Sequence, residues 1–177
     1  MPRLFTALQI PSELAAELAA LRGGLSGARW IDPESYHITL RFIGDIDDAT
    51  ARDVFQELTQ IRRPAFTVAI DRLSAFGGAK PRALVARAQP TQPLLELQAE
   101  QERLMRRIGL APELRKFTPH VTLARLRSVS ALEAAAFLGM LGLFREREFV
   151  ADRFVLLSAR ALVGGGPYVL EAAYPLG

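Results

Sequence analysis

The chain has two histidines, and each of them begins a His-x-Thr-Leu tetrapeptide. The copies are His37-Ile38-Thr39-Leu40 and His120-Val121-Thr122-Leu123. Both lie in apolar, β-branched stretches that are typical of strands, where side chains two positions apart point to the same face. Each copy therefore presents an imidazole and a hydroxyl together. Two such strands facing each other predict a pocket with two imidazoles and two hydroxyls.

Chance does not account for this repetition. The chain has 8 Thr and 27 Leu among its 177 residues. With that composition, both histidines would be followed by x-Thr-Leu in roughly one random chain of twenty thousand. We therefore interpret the pair as a functional site rather than as two separate, hydrogen-bonded strand residues.

Two imidazoles suit paired acid–base catalysis. An unperturbed histidine titrates near pH ~6.5, so small shifts make one imidazole a base and the other an acid. The threonine hydroxyls can hold the oxygens of a tetrahedral group between them. Cleavage of an internal or cyclic phosphodiester needs these parts and no metal, because one imidazole activates water while the other protonates the leaving oxygen.

Other chemistries fit the sequence less well. A zinc site needs a third ligand that neither motif supplies, although an Asp or Glu elsewhere in the chain could provide it. Cysteine is absent, which excludes disulfides, thiolate metal ligands and a cysteine nucleophile. No serine stands in a Gly-x-Ser-x-Gly context. The Gly164-Gly165-Gly166 run lacks the Lys-Ser/Thr that follows the glycines of a phosphate-binding loop.

Three residues close to the motifs are candidates for substrate binding. Strand alternation predicts that Arg41 shares the face of His37, where it would add positive charge to the pocket. The same alternation puts Arg125 on the face opposite His120, which is typical of an exposed residue at a strand end. Spacing favours a core position for Phe42, although an exposed phenylalanine beside the cleft could stack on a base.

Length and composition indicate a single domain, 1–177, built either around one core or as two lobes. Half of the residues are hydrophobic and 23% are charged, which is enough for a full core. No apolar run is long enough to span a membrane, and the first residues lack the apolar region of a signal peptide. We therefore expect a cytoplasmic monomer with no membrane partner. The net charge of +3 excludes little, because 20 of the 22 basic residues are Arg and codon bias accounts for most of them.

Hydrophobic spacing and turn residues predict that the motif strand, a helix and a hairpin occur twice in that order. The predicted helices cover about residues 13–22, 49–61, 93–108 and 131–143. The last hairpin is predicted as one long strand over 149–162 with a turn at 164–167. Because hairpins pair antiparallel, we expect an α+β fold with two antiparallel sheets around a central cleft, one motif strand in each sheet, and helices packed outside.

These residues resemble the two-histidine (2H) phosphoesterase superfamily, which has paired His-x-Thr/Ser-x motifs in a duplicated bilobal fold. Within it, the chain is most similar to the RNA 2',3'-cyclic phosphodiesterases of bacteria and archaea, also described as 2'-5' RNA ligases. The similarity includes the opening RLFTALQIP, the run HITLRFIG from His37, the run FTPHVTLAR from Phe117, and the closing hairpin from Leu157 to Tyr168.

The resemblance implies hydrolysis of a terminal 2',3'-cyclic phosphate on RNA to a 2'-phosphate, with no metal or nucleotide cofactor and with 2'-5' ligation as a further activity. It implies that His37 is the proton donor, that His120 is the proton acceptor, and that the two motif threonines hold the phosphate. It also places Arg125 near the phosphate and Phe42 near the terminal base.

Two alternative functions stay open at this point. The chain could act on small cyclic nucleotides or on cyclic phosphates from tRNA splicing, and salt dependence would separate these from an RNA substrate. It could instead be a non-catalytic protein that binds RNA ends and retains the pocket. In that case, replacing His37 by Ala would leave binding unchanged. The expected partners are thus RNA ends or a cyclic nucleotide.

Overall fold

The computed structural model of the protein describes residues 3–159 and 166–177. Strands alternate with helices along these residues, and one short 3-10 helix precedes the first motif. The elements are β1 (Arg3–Gln9), α1 (Ser12–Ala19), β2 (Ala28–Trp30), the 3-10 helix (Pro33–Ser35), β3 (His37–Asp45), α2 (Asp48–Leu58), β4 (Phe66–Phe76), β5 (Ala83–Ala88), α3 (Gln92–Arg107), β6 (His120–Leu126), α4 (Ala131–Leu141), β7 (Arg147–Ala151), β8 (Arg153–Ala159) and β9 (Tyr168–Pro175).

The described strands form one antiparallel sheet in the order β7-β4-β5-β6-β3-β1-β8-β9, with β2 alongside the second half of β6. At its centre the two motif strands, β3 and β6, meet at a single pair, Ile38 opposite Val121. The predicted α+β class with antiparallel pairing is confirmed. The two sheets that we expected are joined into one sheet at the motif strands.

The hairpin that follows each motif in sequence pairs with the strands of the other motif. Strands β4 and β5 follow the first motif, yet β5 pairs with β6 of the second. Strands β8 and β9 follow the second motif, yet β8 pairs with β1, the neighbour of β3. Each half of the sheet therefore contains strands from both halves of the sequence. This exchange of strands ties the two halves of the sheet together.

The single long strand predicted over 149–162 is wrong. The segment breaks at Asp152 into β7, which pairs with β4, and β8, which pairs with β1 and β9. One continuous strand can pair with only two neighbours, which lie next to it in the sheet. This segment instead pairs with β4 near one end of the sheet and with β1 and β9 near the other, so it must break. Because one residue joins β7 to β8, the sheet curls until its ends lie close together. Residues 160–165, which include the first half of the turn predicted at 164–167, lie outside the described residues.

The apolar face of the motif strands packs into the main core, where Ile38, Leu40, Val121 and Leu123 are buried. The His–Thr faces therefore point the other way. Helices α1, α2 and α3 cover this core, and α4 covers a smaller one. No helix in the described ranges is both long and apolar enough to cross a membrane. The core residues that the helices contribute include Leu14, Leu18, Val54, Leu58, Leu94, Leu97 and Leu104 for the main core, and Ala134 and Phe137 for the smaller one.

Each motif strand has a bulge directly after its threonine. On β3 the paired residues skip from Thr39 to Arg41, and on β6 they skip from Thr122 to Ala124. A bulge inserts one residue into the strand and so reverses the alternation beyond it. Two successive residues are consequently buried in each strand after the threonine, and the next residue is exposed.

The bulges correct the predictions made from alternation. Arg41, predicted to share the face of His37, is only 5% exposed and turned into the protein. Arg125, predicted to face away from His120, instead lines the same cleft as His120. Phe42, for which spacing favoured the core, is 43% exposed and also lines the cleft. All three differences have one cause, which is the extra residue in each strand.

Arg41 has a structural task away from the cleft. Its Nε donates to the Glu102 carboxylate, its Nη1 donates to the Phe42 carbonyl, and its Nη2 donates to the Ala111 carbonyl at 2.6 Å. Glu102 lies on α3, and Ala111 lies in the loop of residues 108–119 that precedes β6. Arg41 therefore ties β3 to α3 and to this loop.

Replacing Arg41 by Met should lower the free energy of unfolding by about 3 kcal/mol or more, because it removes the buried partner of Glu102 and leaves a carbonyl acceptor unpaired. Arg106→Met is the matched control, since Arg106 contacts the same carboxylate at 3.1 Å and is itself exposed to solvent. An exposed ion pair is worth less than about 1 kcal/mol. Urea denaturation followed by circular dichroism measures both, and equal losses would contradict the structural task of Arg41.

Candidate active site

The two motifs line one cleft of about 730 Å³. The register that pairs Ile38 with Val121 sets the histidine of each motif across from the threonine of the other, where the two strands begin to diverge. All four motif side chains that we singled out, His37, Thr39, His120 and Thr122, are thus brought together. The remaining lining includes Arg3, Phe5, Ser35, Phe42, Phe76, Arg82, Arg115, Lys116, Arg125 and Tyr168.

The two histidines are held by the same backbone contact. Nδ1 of His37 lies 2.8 Å from the Ser35 carbonyl oxygen, and Nδ1 of His120 lies 2.6 Å from the Thr118 carbonyl oxygen. A carbonyl oxygen can only accept, so Nδ1 carries the proton in both rings and Nε2 is the basic nitrogen of the neutral form. The Thr39 hydroxyl lies 2.9 Å from Nε2 of His37 and donates to it.

Both imidazoles are neutral at pH 7 in this cleft. Burial lowers the pKa of His37 to about 4, and Arg125, together with the charge that His120 carries when it is protonated, acts in the same direction against the backbone hydrogen bond. Burial also lowers the pKa of His120, and Arg125 and Arg87 add to that effect. Arg125 is therefore close enough to influence both rings.

An aromatic ring packs edge-on against each histidine. Tyr168 contacts His37 with ring centroids 5.2 Å apart and an interplanar angle of 90°. Phe76 contacts His120 at 4.7 Å and 77°. Neither was predicted as a site residue, because Tyr168 begins the last strand and Phe76 ends β4, both far from the motifs in sequence. Only the exchanged pairing of the strands brings them to the histidines.

Arg125 and Phe42 occupy equivalent positions in the two halves, each five residues after its motif histidine. The bulge in each strand turns both side chains toward the cleft. Phe42 stacks on Phe5 with ring centroids 6.2 Å apart and an interplanar angle of 11°. One half of the site thus offers a guanidinium group, and the other offers a partly exposed aromatic ring.

The cleft is also lined by cations that the sequence did not single out. Arg3 lies 3.5 Å from Asp45, and Arg115 lies 3.4 Å from Glu113. Arg82 and Lys116, like Arg125, have no carboxylate partner among residues 3–159 and 166–177. No motif or spacing distinguishes them from the other basic residues of an arginine-rich chain, so they could not be predicted as cleft residues.

No cluster of three or more His, Asp or Glu side chains suited to a metal ion occurs in the part of the chain that the structure describes. The groups that do converge can move a proton at two points and hold an anion between them. Each neutral Nε2 can accept a proton, the threonine hydroxyls can donate hydrogen bonds, and Arg125 supplies a positive charge. Such an arrangement suits nucleophilic attack on a phosphodiester.

Solved structures with the same fold include Escherichia coli LigT complexed with 3'-AMP, which has a TM-score of 0.79 at 21% sequence identity over 99% of each chain. They also include TT0787 of Thermus thermophilus, which has a TM-score of 0.81 at 20% identity over 98% of this chain and 97% of the other. These similarities extend over nearly the whole length of the molecule and establish the fold.

Sequence comparison identifies the family. An RNA 2',3'-cyclic phosphodiesterase of Aquifex aeolicus is 31% identical over 157 residues, which is 84% of this chain and 82% of the relative. One of Aeropyrum pernix is 32% identical over 127 residues, which is 68% of this chain and 72% of the relative. The LigT-like phosphoesterase family matches the chain twice, over residues 8–86 and 85–168. The chain therefore belongs to the LigT-like phosphoesterase family, and the resemblance read from its two motifs is confirmed.

Proposed function

We propose that this protein hydrolyses the 2',3'-cyclic phosphate at an RNA 3' end to a 2'-phosphate, with His37 and His120 as the proton-transfer pair. The observation that carries the proposal is the repeated geometry of the two imidazoles. Each holds its Nδ1 proton on a backbone carbonyl and keeps a basic Nε2 in a shared cleft. The activity of the relatives in the family supports the choice of substrate.

In the proposed reaction, water attacks phosphorus while Nε2 of His120 takes a proton from it. The bond between phosphorus and the 3' oxygen breaks, and Nε2 of His37 gives its proton to that oxygen. The products are a 2'-phosphate and a 3'-hydroxyl, and exchange with solvent returns both histidines to their starting forms. A 5'-hydroxyl in place of water would give a 2'-5' linkage by the same step, so we propose ligation as a side reaction of this cleft.

The acid role of His37 follows from the family resemblance, and it requires that substrate binding protonates this ring. With a pKa of about 4, His37 is neutral at pH 7 before an anion binds. A phosphodiester beside the ring places a negative charge there and raises the pKa. Thr39, Thr122 and Arg125 are proposed to hold the phosphate oxygens, and Phe42 is proposed to stack on the terminal base.

Replacing either His37 or His120 by Ala should lower turnover of a short RNA with a 2',3'-cyclic phosphate end by about 10³-fold or more, because each removes one proton transfer. The assay contains EDTA, and chromatography identifies which monophosphate forms. The proposal expects a 2'-phosphate from the wild type. Formation of a 3'-phosphate, or dependence on metal, would contradict it. Turnover that neither substitution changes would favour an end-binding protein with a contaminating activity.

The pH dependence of kcat/KM should be bell-shaped with its optimum below pH ~6.5, because both histidine pKa values are lowered in the free protein and one ring must be protonated while the other is neutral. The falling limb of kcat should lie at higher pH, because kcat reports the complex and the bound anion raises the pKa values. Steady-state rates from pH 4 to 9 test both statements. A flat kcat/KM profile over that range would exclude the paired mechanism.

Replacing Arg125 by Gln should lower kcat/KM about a hundredfold, because one charged donor to the phosphate is lost. It should also move the kcat/KM profile to higher pH, since Arg125 lowers the pKa of both histidines. Arg127→Gln is the control, because Arg127 is also exposed, lies two residues further along, and is not among the groups that lower either pKa. A rate loss with no shift in the pH profile would place Arg125 away from the reacting group.

A further inference from the structure

The cleft holds more positive charge than one cyclic phosphodiester can neutralise. Arg82, Lys116 and Arg125 line it, are exposed, and have no carboxylate partner among the described residues. The other lining arginines, Arg3 and Arg115, are each paired with a carboxylate. A 2',3'-cyclic phosphate carries a single negative charge, so two of the three cations are in excess of what the reacting group requires.

The three cations do not have the same relation to the histidines. Arg125 lowers the pKa of both imidazoles, whereas Arg82 and Lys116 contribute to neither shift. Arg125 therefore belongs with the phosphate that reacts. Arg82 and Lys116 line the same cleft, where each could contact a second phosphate of a longer ligand.

Arg82 and Lys116 mark opposite ends of the cleft along β6. Arg82 directly precedes Ala83, which is the cross-strand partner of Arg125 near the end of β6. Lys116 lies shortly before the start of β6, in the 108–119 loop that contacts of Arg41 and Glu102 hold beside β3. An RNA chain that leaves the reacting end in one direction can meet only one of these two cations.

The position of Phe42 selects the end. Because β3 and β6 are antiparallel about the Ile38–Val121 pair, Phe42 lies in the direction of the start of β6, toward the Lys116 end. On a ribose, the base on C1' and the 5' carbon on C4' extend from opposite sides of the C2'–C3' edge that carries the cyclic phosphate. A terminal base stacked on Phe42 therefore directs the 5' oxygen, and the phosphate attached to it, toward Arg82.

The backbone of Arg82 is fixed on both sides. Its N–H donates to the Phe76 carbonyl at 2.7 Å, and its carbonyl accepts from the Leu126 N–H at 2.9 Å. The turn before it needs Gly77, which has a φ of +116° and whose missing Cβ would lie 2.8 Å from the Arg82 nitrogen. The guanidinium group therefore extends from a rigid position beside the cleft rather than from a loose surface loop.

We propose that Arg82 binds the phosphodiester that joins the terminal nucleotide to the nucleotide before it. A guanidinium group can contact such a phosphate with two parallel hydrogen bonds. This contact makes the cleft favour an oligonucleotide over a mononucleotide of the same terminal base. The inference rests on the proposed function, because it requires that the cyclic phosphate reacts at the two histidines.

Two substrates test this assignment: adenosine 2',3'-cyclic phosphate with a 5'-hydroxyl, and the dinucleotide ApA ending in a 2',3'-cyclic phosphate. Arg82→Gln should lower kcat/KM for the dinucleotide about tenfold and leave the mononucleotide unchanged. It should also reduce the salt dependence of log kcat/KM for the dinucleotide by a slope of about 0.7, because one phosphate contact is lost. Arg82→Lys should restore part of the loss. Lys116→Gln, a lining cation at the other end, is the matched control and should not separate the two substrates.

The other outcomes overturn the inference in distinguishable ways. Equal losses on both substrates with Arg82→Gln would place Arg82 at the reacting phosphate. A length-dependent loss with Lys116→Gln, and none with Arg82→Gln, would show that the RNA chain leaves toward the other end. Failure of the wild type to hydrolyse either substrate would remove the proposed function itself, and the inference with it.

Discussion

The antiparallel pair between Ile38 and Val121 is the contact on which the site depends. Both side chains are fully buried in the main core, so the two motif strands are fixed from behind by apolar packing. The strands pair at this one position and then diverge, which leaves room between their other faces for a substrate. The imidazole and hydroxyl of each motif flank the paired residue on its own strand. A shift of one residue in this pairing would turn the histidines into the core.

The bulge after each motif adds a second constraint, and the two halves use it differently. In β6 the second buried position is Ala124, which packs beneath α4. In β3 the equivalent position is Arg41, whose charge is balanced by Glu102 of α3. The same backbone irregularity thus anchors a helix in each half, by apolar contact in one and by an ion pair in the other. In both halves it returns the next side chain to the cleft, where Arg125 and Phe42 add unlike groups to otherwise matching motifs.

The sequence predicted what depends on local pattern. The strand character of the motifs, the helical spacing and the duplicated order of elements were readable, and so was the convergence of the two histidines, because a rare tetrapeptide occurs twice. The bulges were not readable, since the residue skipped in each strand is an ordinary leucine whose register is set by β1 and β5. Tyr168 and Phe76 reach the histidines through strand exchange between the halves, which no local pattern encodes. The break at Asp152 was missed for the same reason.

The surroundings of the two histidines oppose protonation of both rings, although the proposed reaction needs one of them as an acid. Burial among Phe5 and Tyr168 makes His37 the more difficult ring to protonate, while the charge of Arg125 opposes protonation of both rings. A bound phosphodiester cancels that charge and favours the protonated form of a nearby imidazole. Under the proposed mechanism, His37 therefore becomes protonated when the phosphodiester binds, and it then donates that proton to the same phosphodiester. In a cleft that holds no anion both rings stay neutral, so proton donation is coupled to correct placement of the phosphate.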